Sequence, residues 1–347
     1  MNRSSARAQL DRLWRRGREF LGVEVAIMGG AMTWVSERHL VAAISNAGGF
    51  GVIASGSMNP KQLADEIMGT QALTEKPFGV NLITMHPQLL ELIDACLRNK
   101  VSHVVLAGGV PTREAVKRIK DGGAKCVCFA PALVIARKLL KSGADALVVE
   151  GHEAGGHVGP VSTSVLAQEI LPAVREVPVF VAGGIGRGEA VLSFLDMGAS
   201  GCQLGTRFVC ATESIAHPKF KQAFIRAAAR DAVTSIQVDP RFPVIPVRAL
   251  ANHATKHFAD MQRKTIAEVD RGELDMKEAQ LKIEHFWAGA LRRAVIDGDV
   301  EEGSIMAGQS VGMVTREQST KDIIQELVDQ AVEALARRAA TSATVSA

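Results

Sequence analysis

Residues 150–157 read Glu150-Gly-His-Glu-Ala-Gly-Gly-His157, and two further pieces follow: Val179-Phe-Val-Ala-Gly-Gly-Ile185 and Gln203-Leu-Gly-Thr-Arg207. Each goes with a short apolar run, at Ala146–Val149, Val177–Val181 and Gly201–Leu204. Short apolar runs that end in glycine-rich turns have the pattern of buried parallel strands, whose loops all open on one side. Two successive glycine-rich loops offer bare backbone N–H groups, which hold a phosphate without a cationic side chain. A His in the preceding loop would sit beside whatever that phosphate anchors. The layout predicted is a phosphate-anchored cofactor at the C-terminal face of a β/α barrel.

Working outward, seven of eight candidate strands are Glu24–Met28, Gly51–Ala54, Phe78–Ile83, Val101–Leu106, Lys125–Ala130, Asp145–Glu150 and Val177–Ala182. Gly201–Leu204 is the eighth, and the spacing is roughly 25–30 residues. Helical periodicity fills the gaps at Pro60–Met68, Pro87–Arg98, Thr112–Asp121, Ala132–Ser142, Thr163–Val174 and Gly188–Met197. Eight such units with short links favour an α/β chain folded as a TIM (β/α)8 barrel over an open sheet. Residues 1–210 form that barrel, with the Arg-rich start, Met1–Gly22, read as a surface helix closing one end rather than a transit peptide. After Arg207 the pattern changes. Thr212–Ala229, Ala249–Asp270 and Lys277–Val295 read as helices, and Asp239–Val247 as a Pro-rich extended loop. Residues 211–294 are therefore expected to be an inserted helical cap domain. Residues 295–347 return to the barrel through a Gly-rich loop and a helix, Thr320–Arg338, before a frayed tail at Thr341–Ala347.

Composition narrows the function. The chain has 347 residues, 47% hydrophobic and 22% charged, which is the balance of a soluble globular protein. A net charge of +3 without Lys/Arg clusters among aromatic residues argues against nucleic acid. No apolar run reaches the roughly 18–20 residues that a membrane span needs. Five Cys with no C-x-x-C pair suit a reducing cytoplasm, and Cys126 and Cys128 read as small core residues. There is no Tyr, so a proton delivered in an active site must come from His, Cys, Lys, an acid or water.

Other readings of the motifs are weaker. Gly183-Gly184-Ile-Gly186-Arg-Gly188 lacks the G-x-G-x-x-G spacing, and the next strand does not end in an acid for a ribose. His152 and His157 would need a third ligand to hold zinc, so no metal is expected. His157 follows the glycines and can approach a flat cofactor, whereas His152 reads as structural. His253 and His257, at i and i+4, read as a solvated helix face, and His217 as structural. Glu150 at its strand end can accept hydrogen bonds, and the Asn81 amide can both donate and accept at the edge of a ring. Small residues at Met28–Met32 let a flat ring lie against backbone. Arg207 can contact the phosphate or buttress a carboxylate in the wall.

Together these residues resemble the nitronate monooxygenase family, formerly the 2-nitropropane dioxygenases. It includes FMN-dependent enoyl-acyl-carrier-protein reductases and an NADH:quinone reductase branch. The resemblance runs from about Leu21 to Leu335. It is most specific at Glu150–Gly159, Val181–Ile185, Gly205–Phe208, Thr212–Pro218 (Thr-Glu-Ser-x-x-His-Pro) and Met306–Gln309 (Met-Ala-Gly-Gln). It implies non-covalent FMN, with the phosphate on Ala182, Gly183, Gly184, Gly205 and Thr206. It implies further flavin contacts at Gly30, Asn81, Glu150 and Gln203, and His157 as the catalytic group; Gly155 belongs to the cofactor loop. Ala26 and Gly29 stand where many members have Pro and Gln. The implied reaction is oxidation of alkyl nitronates, or nitroalkanes, by O2. The rivals are enoyl-thioester reduction with NAD(P)H, served by an acidic carrier protein, and NAD(P)H:quinone reduction. A homodimer through barrel helices stays open.

Overall fold

The computed structural model describes residues 2–239 and 245–345. Strands β1 (Ile27–Gly29), β2 (Val52–Ala54), β3 (Gly79–Ile83), β4 (His103–Ala107), β5 (Lys125–Phe129) and β6 (Ala146–Glu150) come first. They are followed by β7 (Gly156–His157), β8 (Val179–Ala182), β9 (Gly201–Leu204), β10 (Ala232–Thr234) and β11 (Val247–Leu250). Eight of them pair in parallel in the order β1-β9-β8-β6-β5-β4-β3-β2. A parallel bridge between Met28 and Phe50 joins the two ends, with the Gly29 amide donating to Phe50 O at 2.8 Å. The sheet therefore closes into a TIM barrel.

The period of two along each strand decides what lies inside. On β6, Ala146 and Val148 belong to the interior cluster with Met28, Phe50, Val52, Val105, Val127, Phe180 and Ala182. Their neighbours Leu147 and Val149 join the larger cluster under the surrounding helices. The same alternation carries three polar residues inward at the upper strand ends: Asn81 on β3, Glu150 on β6 and Gln203 on β9. The lower end is closed by the helix Arg15–Leu21, whose Phe20 and Leu21 meet the interior cluster, while the helix Arg3–Leu13 packs on the outer helices Gly188–Asp196 and Thr320–Val345. The sequence suggested one helix over this segment, and there are two. Gly17 lies so close that a Cβ there would come within 2.0 Å of Ser200 O. Below the interior, buried His103 stacks edge-on against Phe20 and Phe50, its ring 5.0 Å from each. Its Nε2–H donates to Phe20 O at 3.0 Å, which leaves Nδ1 to accept from Ser102 Oγ at 2.9 Å.

The strands match the sequence reading to within one to three residues, except the first. Glu24 and Val25 hydrogen-bond to Gly48 O instead of entering the sheet, and β1 extends to Gly29. Ile44 packs against Gly29, where a Cβ would lie 2.6 Å from Ile44 Cδ1. The helix Arg38–Asn46, capped by the Glu37 carboxylate, was not anticipated. Two helical readings need correction. Within Thr212–Ala229 only Pro218–Arg226 is a longer helix, since Pro218 is a starting residue and His217 its cap. Within Ala249–Asp270 the first residues are strand β11, and the helix begins at His253 behind the Asn252 cap. In the expected extended loop Asp239–Val247, residues 240–244 lie outside the described residues, and Val247 is in β11. Helices His253–Asp270 and Met276–Val295 pack together through Phe258, Ile283 and Trp287. The last helix runs from Thr320 to Val345, past the expected fraying point, and residues 346–347 lie outside the described residues. Among the described residues no helix is long and apolar enough to cross a membrane.

Candidate functional site

Above the barrel interior, at the C-terminal ends of the strands, lies a cavity of about 770 Å³. All of the residues singled out from the sequence line it: Gly30, Asn81, Glu150, Gly155, His157, Ala182, Gly183, Gly184, Gln203, Gly205 and Thr206. Gly183 and Gly184 turn the chain away from β8 with φ of +98° and +70°, values that side chains rarely tolerate. A Cβ on Gly183 would also meet Thr163 Oγ1 at 2.8 Å and Gly151 O at 3.0 Å. Gly30 and Gly205 face each other across the next gap, with the Met32 thioether beside Gly205. Asn81 and Gln203 are buried, and Asn81 Nδ2 donates weakly to Val105 O at 3.4 Å.

Residues 151–159 form a loop tied down at many points. The His152 amide donates to Val161 O, and His152 Nδ1 lies 2.7 Å from Gly159 O. His152 is thus a loop brace, as read from the sequence. The Glu153 carboxylate accepts from Thr163 N at 2.8 Å and from Thr163 Oγ1 at 2.9 Å. Gln309 N donates to Glu153 O, and the Gly308 amide donates to Thr206 Oγ1 at 3.0 Å. The Met306–Gln309 turn therefore lies directly on the loop. A Cβ on Gly155 would stand 2.6 Å from Gly308 N, so Gly155 is required for that close approach. The loop ends in β7, which pairs antiparallel with β11 (Val247 opposite His157, Arg248 opposite Gly156), and β11 pairs with β10. His157 itself is exposed at the rim.

Glu150 keeps some surface because it faces the cavity, yet it lies deep. Burial pushes its carboxyl up to about 7, and nearby His157 pulls the other way. The sign of the consequence follows from proton counting. Between its ordinary value near 4.5 and about 7, the folded protein holds a proton that the unfolded chain has released, so stability falls as pH rises through that window. His103 acts oppositely: burial lowers it to about 4, and stability is lost as pH falls from 6.5 toward that value. The two slopes overlap, so the difference between parent and variant is the useful quantity. Glu150→Gln is expected to raise the melting temperature of the ligand-free protein at pH 8, by up to ~3 kcal/mol in stability, and to match the parent near pH 4. Parallel curves from pH 4 to 8 would show that Glu150 is ionised in the folded state.

Arg207 takes the second of its two readings. Its side chain is buried, donates to Met313 O at 2.7 Å and pairs with Glu326 at 3.3 Å, so it buttresses the wall. His217 caps its helix by accepting from Lys219 N. His253 and His257 are exposed but both reach the Glu302 carboxylate, at 3.2 and 3.1 Å. The five Cys are free and buried, and Cys126 and Cys128 face the surrounding helices. Several site residues were not foreseen. Thr163 holds the loop but has no signal beyond starting a helix. Trp287 and Leu291 line the cavity from the long helix, where their i, i+4 spacing reads as ordinary core. Met85 and Val110 line it from the loops after β3 and β4, and Ile135 from the first turn of the helix Leu133–Lys141 after β5.

A family profile described as nitronate monooxygenase matches residues 16–96 and 90–330. Among known proteins, a (3aS,4S,5R,7aS)-5-hydroxy-7a-methyl-1-oxo-octahydro-1H-indene-4-carboxyl-CoA dehydrogenase of Mycobacterium tuberculosis is 30% identical, over 90% of this chain and 95% of its own. The structure of FabK from Thermotoga maritima superimposes with a TM-score of 0.84 at 33% identity, covering 94% of this chain and 98% of that one. A nitroalkane oxidase from Streptomyces ansochromogenes superimposes with a TM-score of 0.76 at 26% identity, covering 90% and 97%. With the five motifs in order on a closed barrel, these likenesses place the chain in the nitronate monooxygenase family of flavin-dependent oxidoreductases.

Proposed function

We propose that this oxidoreductase binds FMN in the cavity and oxidises alkyl nitronates, with O2 as the final electron acceptor. Residues 1–210 would supply the flavin site, residues 211–294 would cap its mouth, and residues 295–347 would complete the wall. The cradle fits FMN: backbone at Ala182–Gly184 and Gly205–Thr206 would hold the phosphate, where side chains would fill the space. Gly30 offers a flat surface, and Asn81, Glu150 and Gln203 offer polar partners for the ring and the ribityl chain. When bound, FMN supplies the redox chemistry by taking electrons from substrate and passing them to oxygen.

One observation carries the substrate reading. Among the described residues lining the cavity, Glu150 and His157 are the sole titratable groups; there is no Lys, Arg, Asp or Cys. A nitronate suits such a site. It arrives as a carbanion equivalent and needs no strong base, and its anionic nitro group can be met by His157. With a neutral nitroalkane, His157 would take the α-proton. Met85, Val110, Ile135, Trp287 and Leu291 would receive the alkyl chain. A second reading is supported by the breadth of this apolar cavity and by the carboxyl-CoA relative. In it, NAD(P)H is the electron donor, an enoyl thioester is reduced, and His157 donates the proton.

Oxygen uptake by the FMN-loaded protein separates the two. Uptake with propyl-2-nitronate and no NAD(P)H is the expected result. No uptake, together with NAD(P)H oxidation that depends on a crotonyl thioester, would replace the nitronate reading with the second one.

A further inference from the structure

Arg248 breaks the ordinary rule that a cation is not fully buried without an anion in contact. It lies on β11 with 3% exposure, next to Val247, which packs with Phe258 and Trp287. Burial pulls its guanidinium down from the usual value, and the nearby Glu153 offsets part of that. Its hydrogen bonds go to backbone. Nε–H donates to His152 O at 3.1 Å, and the Nη1 group donates to Ala232 O at 2.5 Å. An apolar side chain of similar volume would fill the same space without the desolvation cost, so the arginine is there for what it holds.

What it holds is the loop that ends in His157. Glu153 and Gln309 pin that loop on the barrel side, through Thr163 N and Glu153 O. On the opposite side the ladder places Arg248 against Gly156 and Val247 against His157, and Val158 N donates to Pro246 O at 2.9 Å. The guanidinium adds a side-chain tie from this strand to the beginning of the loop, at His152, and to β10, at Ala232. Four residues lie between His152 and His157, and two of them, Gly155 and Gly156, have no side chains with which to stiffen the loop.

We propose that Arg248 is a positioning residue for His157: by gripping the His152 carbonyl while β11 holds Gly156 and His157 in register, it fixes where the imidazole stands over the cavity mouth. The inference rests on His157 as the group that meets the substrate. Displacing a reacting group by about 1 Å costs on the order of 100-fold in rate, so a large kinetic effect is expected from a change that leaves the cradle intact.

The test is a cycle of four FMN-loaded proteins: parent, Arg248→Met, His157→Ala and the double variant. 2-Nitropropane, whose α-proton His157 would take, is the substrate, or crotonyl thioester with NAD(P)H if nitroalkanes are inert. Arg248→Met is expected to lower kcat by about 10- to 100-fold with KM and bound FMN unchanged, and to have no further effect in the His157→Ala background. Arg248→Lys, which keeps the charge and one donor, is expected to recover part of the loss. Equal fractional losses in both backgrounds would assign Arg248 a general structural role and overturn the proposal, as would an unchanged kcat in Arg248→Met. If His157→Ala keeps full activity, the assignment of His157 fails, and positioning is then judged without turnover. For that, the imidazole NMR signal of His157, identified by its loss in His157→Ala, is expected to move or split in Arg248→Met; an unchanged signal would overturn the proposal.

Discussion

His157→Ala is expected to lose two to four orders of magnitude in turnover of neutral nitroalkane, as ~10²–10⁴ is the usual contribution of a positioned acid–base group, while FMN stays bound. The residue stands on β7 at the rim, opposite Val247, and not among the glycines of the cradle. Removing its ring should leave the floor of the cavity unchanged. The chain has no Tyr, and of the two titratable groups lining the described cavity only His157 stands at the rim, whereas Glu150 lies deep at the end of β6. His157→Gln refines the result. A glutamine can still donate a hydrogen bond to an anionic nitro group but cannot accept the α-proton, so activity should persist with preformed nitronate and vanish with nitroalkane. The measurements are oxygen uptake with both substrates and the flavin absorbance left after desalting. Parent-like rates of His157→Ala with nitroalkane would remove the residue from the chemistry.

Gly183→Val is expected to empty the site of FMN. At φ +98° a β-branched residue is strained, and its Cβ would press on Thr163 Oγ1 and Gly151 O. Strain of ~1–3 kcal/mol carried by the bound conformation weakens binding by about 5- to 150-fold, and the displaced loop loses the backbone geometry that a phosphate requires. A useful control is Gly272→Ala. That glycine also has positive φ, +72°, but a Cβ there meets nothing within 4 Å. The control should lose some stability and keep its flavin. Tight FMN binding by folded Gly183→Val would place the phosphate elsewhere.

The barrel was legible because its strands are buried on both faces and stand out as apolar runs cut off by glycine. Asn81 and Glu150 were legible as polar residues at the ends of such runs, whereas Gln203 was reached only through the family resemblance. The small sheet was not. β7 is two residues long, and its partner lies some 90 positions later, so no local pattern announces the pairing. Arg248 was hidden for the same reason: the periodicity of His253–Asp270 extends backwards through Ala249, and only pairing with β10 and β7 makes those residues a strand. The helix Arg38–Asn46 escaped notice because the chain between two short strands gave its apolar stretch no separate frame, although Glu37 is a sound cap. Pro218 marked its helix boundary in the sequence but was outweighed by the residues around it. The choice between the two roles of Arg207 needed the position of Glu326, which belongs to a helix more than a hundred residues away.

The packing of the helices Arg3–Leu13 and Arg15–Leu21 has a bearing on how the protein is made. The helix Arg3–Leu13 packs on the helix Thr320–Val345, with Arg3 paired to Asp329 at 2.5 Å, and Gly17 rests on Ser200. The helix Arg3–Leu13 therefore waits for a partner that is translated some three hundred residues later. At ~5–20 residues per second, that interval is tens of seconds, during which Leu10 and Trp14, both buried in the finished protein, are without their full cover. Nascent chains stopped before residue 320 should be cleaved readily near their start and held by chaperones. Emergence of the helix that begins at Thr320, rather than of any one half-barrel, should be the moment at which protease resistance appears.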